Sequence, residues 1–293
     1  ITTNPIILPK QILLGAVVLI LLVLQIVKML AERSVKIRRT SFDVPIIAVG
    51  DHGQLPPING NFNLMASPQI KIEKIHRQAE GNPIIHLSAL ARNDGKIPYG
   101  RHSNSVIKFD RADPESQETL SEYLRAYNPN TLILCGYNTT RIKLNNFIRT
   151  ALEIFDQHPQ PGDRVICLRN NHVKQIANGM LGTIEKIEGA DKKSDFYQAE
   201  IRMDGIKDLY KGSIFKAQFN NPQSLNFTDQ RRLLGDADLF DYGYALTVHK
   251  AQGSQAKKVI LFEERFKKTD DEMWKRWLYT GITRAEEELY ILG

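Results

Sequence analysis

The stretch TLILCGYNTTRIKLNNFIR, Thr131–Arg149, decides the fold of this chain. It opens with an apolar run that ends in glycine, which predicts a buried strand. The residues that follow predict a short polar loop and then a helix. A strand, a loop and a helix in this order are typical of a parallel α/β unit. The sequence therefore predicts an α/β protein built on a parallel sheet.

The same alternation continues on both sides of this unit. A strand is predicted at Val44–Val49, and helices are predicted at Asn82–Arg92 and Glu115–Tyr127. Near the carboxyl end, the runs KKVILFEE and LYILG predict two more strands. The segment between those strands, DDEMWKRWLYTGITRAEEE, predicts a helix. The α/β pattern thus covers both ends of the region from residue 44 to residue 293.

Between residues 159 and 210 the pattern changes. Short runs of alternating polar and apolar residues, RVICLR, GMLGTIEKIE and YQAEIRMDG, are separated by turns that contain Gly or Asp-Gly. Such spacing predicts a small antiparallel β-barrel inserted into the α/β frame. Roles in turns are favoured for Arg169, Asn170 and Asn178 in this segment.

Charge and cysteine content narrow the possible partners. The 293 residues carry a formal net charge of +6, and the pI is about 9.1. This balance favours a polyanionic partner, although a solvated basic face explains it too. The two cysteines, Cys135 and Cys167, lie in apolar runs without a C-x-x-C or Cys/His cluster. A disulfide framework and a zinc site are therefore not predicted, and no metal ligand is assigned.

The segment Ile12–Leu30 is almost unbroken in its apolar character. Its length suits a membrane span, and the basic residues after it would hold the rest of the chain in the cytoplasm. A buried core element of an α/β protein has the same composition. Both interpretations stay open from the sequence, with a cytoplasmic location in either case.

A second turn carries polar residues at a strand end. Val44–Val49 leads into GDHGQLPPI, where glycines and prolines end the strand and leave Asp51 and Gln54 beside it. In open α/β sheets, ligands bind at the carboxyl ends of the strands. An amide can accept one hydrogen bond and donate another at the same time, so Gln54 is a candidate to sense a ligand bound at this strand end. A purely structural turn is the alternative.

Four segments taken together resemble one family of proteins. VGDHGQLPPI, ILCGYNTTRIKLNNFIR, YALTVHKAQGSQ and LYTGITRAEEELYIL are similar to the later motifs of superfamily 1 DNA helicases, in particular those of the RecD/Dda-like branch. The likeness runs from Val44 to Gly293. It implies a RecA-like lobe of the P-loop NTPase type that carries the small barrel, preceded by part of a first lobe. It also implies ATP and Mg²⁺ as cofactors and 5′ to 3′ movement on single-stranded DNA.

The resemblance assigns residues to the nucleotide. Arg284 corresponds to an arginine finger, which stabilises charge that grows on the terminal phosphate. Gln54 would face that phosphate from the other lobe, and Arg77 is implied as a further γ-phosphate contact. The remaining residues implied to bind or flank the nucleotide are Asp51, Gln78, Gln252, Gly253 and Tyr279.

Two polar loops are predicted to contact nucleic acid. The polar loop in ALTVHKAQGSQ, before the buried strand KKVILFEE, offers hydroxyls, amides and a cation to DNA phosphates. Its candidate residues are Thr247, His249, Lys250 and Ser254. Tyr137, Asn138 and Arg141, where the strand of the opening stretch ends and its helix begins, are the other candidates and suit a backbone phosphate or a base. Packing or capping is the alternative for His249, and capping of the helix is the alternative for Asn138.

The parts that grip ATP are not found among the 293 residues. A phosphate loop ends in Gly-Lys-Ser or Gly-Lys-Thr, whereas the only Gly-Lys pair here, Gly95-Lys96, is followed by Ile97. The resemblance also implies an Asp-Glu pair on a strand that precedes the Gly-Asp-x-x-Gln turn. In the corresponding stretch, ILLVLQIVKMLAERS, Glu32 is the sole acid. The main ligands of ATP and Mg²⁺ are thus expected to be absent, and the chain alone is expected to hydrolyse ATP poorly. A truncated or misassembled gene is the favoured explanation; a membrane-tethered remnant and a first lobe supplied by a separate chain are the others.

The predicted organisation has four parts. Residues 1–43 form a hydrophobic amino-terminal segment, and residues 44–100 are the remnant of a first RecA-like lobe. A second RecA-like lobe comprises residues 101–158 and 211–293, and the barrel occupies residues 159–210. The expected function is that of part of a DNA helicase with single-stranded DNA as its partner. The alternative is a non-catalytic DNA-binding module, possible also as a membrane-tethered form through Ile12–Leu30.

Overall fold

The computed structural model describes residues 50–51, 53–56, 70, 81–189, 194–225 and 234–293. The chain divides into two compact units, Ile1–Arg77 and Gln78–Gly293. Within the first unit, only residues around the Gly-Asp turn and Ile70 are described. The segment Ile12–Leu30 and the strand predicted at Val44–Val49 lie outside the described residues.

The second unit contains helices and strands in alternation, as predicted. In chain order they are α1 (Pro83–Asp94), β1 (Gly100–Arg101), β2 (Val106–Phe109), α2 (Pro114–Arg125), β3 (Thr131–Cys135), α3 (Asn138–Ala151), β4 (Arg164–Cys167), β5 (Leu181–Glu188), β6 (Phe196–Met203), β7 (Tyr210–Phe215), a 3₁₀ turn (Lys216–Gln218), β8 (Phe240–Tyr242), β9 (Ala245–Thr247), β10 (Ala256–Phe262), α4 (Asp271–Ile282) and β11 (Ala285–Leu292).

Six strands form the sheet on which the α/β part is built. Their order is β1-β2-β11-β10-β3-β9, and all neighbours pair in parallel except β1 and β2. The strand β3 that opens the stretch quoted above is buried at every residue, as expected for a central parallel strand. The α/β fold class predicted from the sequence is confirmed.

Local sequence signals explain where the helices begin. Asn82 caps α1 by accepting from the backbone N–H of Ile84 at 2.9 Å, and Asp113 caps α2 by accepting from Glu115 and Ser116. In both helices proline occupies the first turn, where its missing N–H costs nothing. Gly95 ends α1 with φ of 66°, a left-handed conformation that favours glycine.

The helix α1 belongs to the second unit, although the sequence assigned residues 44–100 to a first lobe. It packs against α4, and the indole Nε1 of Trp274 donates to the carbonyl of Gly95 at 2.8 Å. Ile84, Leu87 and Ala91 of α1 are buried. Periodicity identifies the apolar face of a helix but not the core that the face covers, which explains the difference.

The second sheet is antiparallel and has the order β7-β6-β5-β4-β8. It extends beyond the predicted range of residues 159–210, because β7 continues to Phe215 and β8 lies at Phe240–Tyr242. A parallel bridge joins Ile214 to Asp238, just before β8. This bridge brings the two outer strands towards each other, as in the small barrel expected from the sequence.

Strands β8 and β9 lie in different sheets yet are separated by only Gly243 and Tyr244. A Cβ on Gly243 would come within 2.7 Å of the backbone carbon of Val165 in β4. Only glycine allows this approach without a shift of the backbone. The chain therefore passes directly from the antiparallel sheet into the six-stranded sheet.

Buried polar groups join the two sheets on either side of this passage. Arg149 of α3 donates to the carboxylate of Asp163 at 2.9 and 3.1 Å, and the hydroxyl of Tyr244 donates to the same carboxylate at 2.7 Å. The guanidinium also lies over the ring of Tyr242, 4.5 Å from its centroid. These contacts satisfy charges that would be costly to bury alone.

Among the described residues, no helix combines the length and the apolar character that crossing a bilayer requires.

Candidate functional site

The described turn of the first unit brings Asp51 and Gln54 together, as the sequence suggested. One carboxylate oxygen of Asp51 accepts from the backbone N–H of Gly53 at 2.9 Å, and the other accepts from the side-chain amide of Gln54 at 3.1 Å. The amide of Gln54 is therefore oriented by its neighbour. Arg77 and Gln78, the other candidates before residue 80, lie outside the described residues.

The strand registers of the six-stranded sheet divide the remaining candidates between two edges. Cys135 at the end of β3 is opposite Thr247 at the end of β9, so the residues after both strands share the carboxyl edge. Ala256 at the start of β10 is opposite Ala285 at the start of β11. The residues just before these two strands, Ser254 and Arg284 among them, share the amino edge.

Arg284 lies at the amino edge, in the turn between α4 and β11. Its guanidinium donates to the carbonyls of Thr280 and Ser254, at 3.0 and 3.1 Å, and to the hydroxyl of Thr283 at 3.2 Å. The residue is buried, with 5% of its surface exposed. Two predicted site residues, Arg284 and Ser254, are thus in direct contact, and the arginine holds the end of α4 against the loop before β10.

That loop also contains Gln252 and Gly253. Gly253 is exposed and has φ of 89°, and no atom lies within 4 Å of the position that a Cβ would take. Gln252 is half-buried, as is Tyr279 on α4. The loop therefore presents an open backbone position beside the contact between Arg284 and Ser254.

Glu264 organises the carboxyl edge. This residue follows β10 in the chain. Its carboxylate accepts from the backbone N–H groups of Gly136 and Tyr137 at 2.8 and 3.0 Å, and from the hydroxyl of Thr140 at 2.7 Å. A Cβ on Gly136 would come within 2.8 Å of the carbonyl oxygen of Glu264. The acid thus fixes the start of α3, where negative charge is favoured by the helix dipole.

Three aromatic rings lie beside this acid. The rings of Tyr137 and Phe266 meet edge to face with centroids 4.8 Å apart, and the ring of His249 is 6.3 Å from that of Phe266. The hydroxyl of Tyr137 donates to the carbonyl of Arg265 at 3.3 Å. Burial lowers the pKa of His249, so its ring is neutral at neutral pH. We call Tyr137, Phe266 and His249 the aromatic cluster.

Asn138, Thr247 and Lys250 lie around the cluster on the same edge. Asn138 is exposed at the start of α3, whereas Thr247 is 7% exposed at the end of β9. Lys250 is half-buried. Its carbonyl lies 3.8 Å from the Cβ position of Gly179, so the loop after β4 approaches this edge.

Arg141 occupies a different environment from the one that the sequence suggested. It is 6% exposed, and its guanidinium donates to the carboxylate of Asp241 at 2.8 Å, to the carbonyl of Asn221 at 2.9 Å and to the side chain of Asn138 at 3.3 Å. These contacts give Arg141 a structural role between α3 and β8. It orients Asn138 and is not an open contact for a phosphate.

Neither Glu264 nor Phe266 was predicted as a site residue. In the sequence, Glu264 is the last residue of the predicted strand KKVILFEE, and Phe266 is an isolated aromatic residue two positions further on. The only signal was their position at the end of this strand, at the edge where ligands bind in α/β sheets. Among the described residues, no cluster of three or more His, Cys, Asp or Glu side chains is arranged to hold a metal ion.

Comparison with known proteins agrees with the motifs. Residues 242–292 match the UvrD-like helicase C-terminal domain. The chain is 27% identical over 269 residues to the ATP-dependent RecD2 DNA helicase of Deinococcus radiodurans, covering 85% of this chain and 32% of that protein. It is 25% identical over 272 residues to a probable conjugal transfer protein TraA of Sinorhizobium fredii, covering 85% of this chain and 22% of that protein.

Among solved structures, the Pif1 helicase from Candida albicans is similar, with a TM-score of 0.46 and 17% identity over 84% of this chain and 63% of that chain. The chain spans about a third of the length of the RecD2 helicase and about a fifth of the length of TraA. The resemblance to superfamily 1 helicases of the RecD type, predicted from four motifs, is confirmed.

Proposed function

We propose that this chain contributes the second motor lobe, with its inserted barrel, of an ATP-dependent DNA helicase that moves 5′ to 3′ on single-stranded DNA. In this proposal the amino edge of the six-stranded sheet serves the nucleotide and the carboxyl edge serves the DNA. The polarity rests on the resemblance to the RecD/Dda-like branch, and it concerns a motor with both lobes.

The observation that carries the proposal is the contact between Arg284 and Ser254. It joins the turn after α4 to the loop of Gln252 and Gly253, two segments that are 30 residues apart in the chain. The resemblance assigns Arg284, Gln252 and Gly253 of these segments to the nucleotide, whereas it assigns Ser254 itself to DNA. The meeting of the two segments at one edge of the sheet is what a site assembled from both requires.

The residues at this edge fit a nucleotide phosphate. ATP hydrolysis supplies the free energy for movement between lobes in motors of this kind. The guanidinium of Arg284 would stabilise charge on the terminal phosphate after leaving its present acceptors, and the exposed backbone at Gly253 would approach the nucleotide. The resemblance also assigns Asp51 and Gln54 to the nucleotide. No residue of this chain is assigned as a ligand of Mg²⁺.

A non-catalytic DNA-binding module is the second candidate. It is favoured by one sequence feature, since neither Gly-Lys-Ser nor Gly-Lys-Thr occurs among the 293 residues. The lysine and hydroxyl of that motif hold the phosphates and Mg²⁺ in P-loop enzymes. We therefore expect the 293-residue polypeptide by itself to bind single-stranded DNA but to turn over ATP at less than about 1 s⁻¹.

Two measurements on the purified chain test these proposals. Fluorescence anisotropy with a labelled oligodeoxythymidine should show binding that weakens as salt rises, because phosphate contacts release counterions. Coupled ATPase assays with the same DNA and Mg²⁺ should show turnover near background. Faster turnover would contradict the expected inactivity, while a lack of DNA binding at low salt would contradict both candidate functions.

Two lysine variants, at Lys250 and Lys257, test the assignment of DNA to the carboxyl edge. Lys250→Gln at the carboxyl edge should weaken DNA binding and reduce the slope of log affinity against log salt by about one. Lys257→Gln is the control, since this lysine is exposed on β10 and pairs with Glu287 at 3.1 Å. Equal effects of the two substitutions would remove the assignment of DNA to the carboxyl edge.

A further inference from the structure

We propose that the aromatic cluster of Tyr137, Phe266 and His249 stacks against an unpaired base of single-stranded DNA, so that the carboxyl edge contacts bases as well as phosphates. This inference rests on the DNA-binding function proposed above. It adds Phe266 to the candidate DNA-binding residues and specifies a base, not a phosphate, as the part of the ligand that Tyr137 and Phe266 contact.

The exposure and geometry of the cluster support this role. Tyr137 is 38% exposed although its ring contacts Phe266, and its hydroxyl is engaged with the carbonyl of Arg265. The ring is thus held at its polar end while part of its surface faces solvent. Aromatic rings in this state are the usual platforms on which successive bases of a single strand stack.

The cluster is also fixed before any ligand binds. The carboxylate of Glu264 holds the N–H groups of Gly136 and Tyr137 and the hydroxyl of Thr140 at distances of 3.0 Å or less. Gly136 leaves no space for a side chain between the two segments. Since Tyr137 and Phe266 are attached to these same segments, little conformational entropy is lost when a base binds.

The charges around the cluster suit a nucleic acid. Lys267 and Lys268 follow Phe266 directly and are exposed, and Lys143 is exposed on α3. The carboxylate of Glu264 is engaged with the N–H groups of Gly136 and Tyr137 at the start of α3, and Asp271 pairs with Arg265. A base on the rings would therefore be accompanied by cations for the adjoining phosphates, which is the combination found in grooves for single strands.

The experiment compares two oligonucleotides on the full chain. One is a fluorescein-labelled oligodeoxythymidine, and the other has the same length and backbone but carries abasic sites in place of the bases. Tyr137→Leu should weaken binding of the first at least about five-fold and leave binding of the second unchanged. Tyr137→Phe should retain the affinity of the unmodified chain, because the ring is kept.

Phe155→Leu provides the matched control. Phe155 is 75% exposed but lies outside the cluster, in the loop after α3. This variant should bind both oligonucleotides as the unmodified chain does. A loss of affinity equal to that of Tyr137→Leu would show a general effect of exposed aromatic residues and would overturn the assignment.

A spectroscopic readout separates stacking from a structural effect. The fluorescence of 2-aminopurine placed within the oligonucleotide should fall when the unmodified chain binds, and Tyr137→Leu should relieve the quenching. Equal loss of affinity for both oligonucleotides, or unchanged affinity for both, would overturn the proposal and favour a phosphate or protein contact at the cluster. If the unmodified chain bound the abasic strand as tightly as the normal one, the proposed base contact would be overturned while the proposed DNA-binding function would stand. Lack of binding to either would remove the DNA-binding function as well.

Discussion

Arg141 and Asp241 form a buried ion pair that joins the helix after β3 to the last strand of the antiparallel sheet. The guanidinium Nη1 and the carboxylate Oδ2 are 2.8 Å apart, and both side chains are less than a tenth exposed. The other carboxylate oxygen accepts from the backbone N–H groups of Asn220 and Tyr242. The pair therefore organises three segments that are distant in the chain.

We expect Arg141→Met to lower the free energy of unfolding by about 3–5 kcal/mol, because it leaves the carboxylate of Asp241 buried without its cation. Urea unfolding followed by tryptophan fluorescence measures the change. Arg125→Met is the control, since the pair of Arg125 with Glu118 is exposed by more than half on both sides. That control should change the free energy by no more than about 0.5 kcal/mol. Similar values for both variants would show that the buried pair is not the stronger one.

Gly136→Ala should destabilise the carboxyl edge by about 1–3 kcal/mol. The new methyl group would lie 2.8 Å from the carbonyl oxygen and 2.9 Å from the Cβ of Glu264, so backbone has to move. Gly81→Ala is the matched control, because no atom lies within 4 Å of its Cβ position. Thermal unfolding of the two variants measures the difference in stability. A Tm of Gly136→Ala equal to that of the control would show that the carboxyl edge accommodates the methyl group without loss of stability.

The boundary of the second unit can be tested with two fragments. Residues 78–293 should fold cooperatively, whereas residues 101–293 lack α1 and expose the face of α4 that α1 covers. The two tryptophans of the chain, Trp274 and Trp277, lie on α4 and are 6% and 1% exposed. We expect emission at longer wavelength and a smaller free energy of unfolding for the shorter fragment. Identical emission spectra would place α1 outside the core.

Stability should depend on pH through His249. Burial lowers the pKa of this histidine below its ordinary value of 6.5, so the unfolded chain binds the proton more readily than the folded chain does. The contribution of neutral His249 to the free energy of unfolding is complete above about pH 6.5. It is lost as the pH falls below that value. His249→Gln should therefore reduce the loss of stability between about pH 7 and pH 5.

The comparison of the two chains isolates this effect, because the other histidines are common to both. Free energies of unfolding from urea titrations at several pH values provide the two curves. Parallel curves over the whole range would contradict a lowered pKa at His249. A steeper fall in the variant would contradict it as well.

The elements of the second unit were predictable because their signals are local. The helix ends are marked by hydrogen bonds to residues nearby in the chain, made at Asn82, Asp113 and Gly95. Strand β3 is apolar at nearly every position. Four strands, β1, β2, β8 and β9, were missed, since each is only two to four residues long and has too few positions to show the alternation that reveals a half-buried strand.

The candidate site was less predictable because its contacts are not local. The partner of Arg141 is 100 residues away and that of Gly136 is 128 residues away. A surface arginine and a buried one look alike in sequence until the acid that neutralises the charge is placed. The contact between Arg284 and Ser254, which are 30 residues apart, was not predicted, although the resemblance placed both residues among the candidates.

The short link through Gly243 has a mechanical consequence. Because β8 leads into β9 through two residues, and because β4 leaves no space for a side chain at Gly243, the two sheets are closely joined at this point. Force applied to β8 would reach His249, seven residues beyond Tyr242, through this short stretch of backbone.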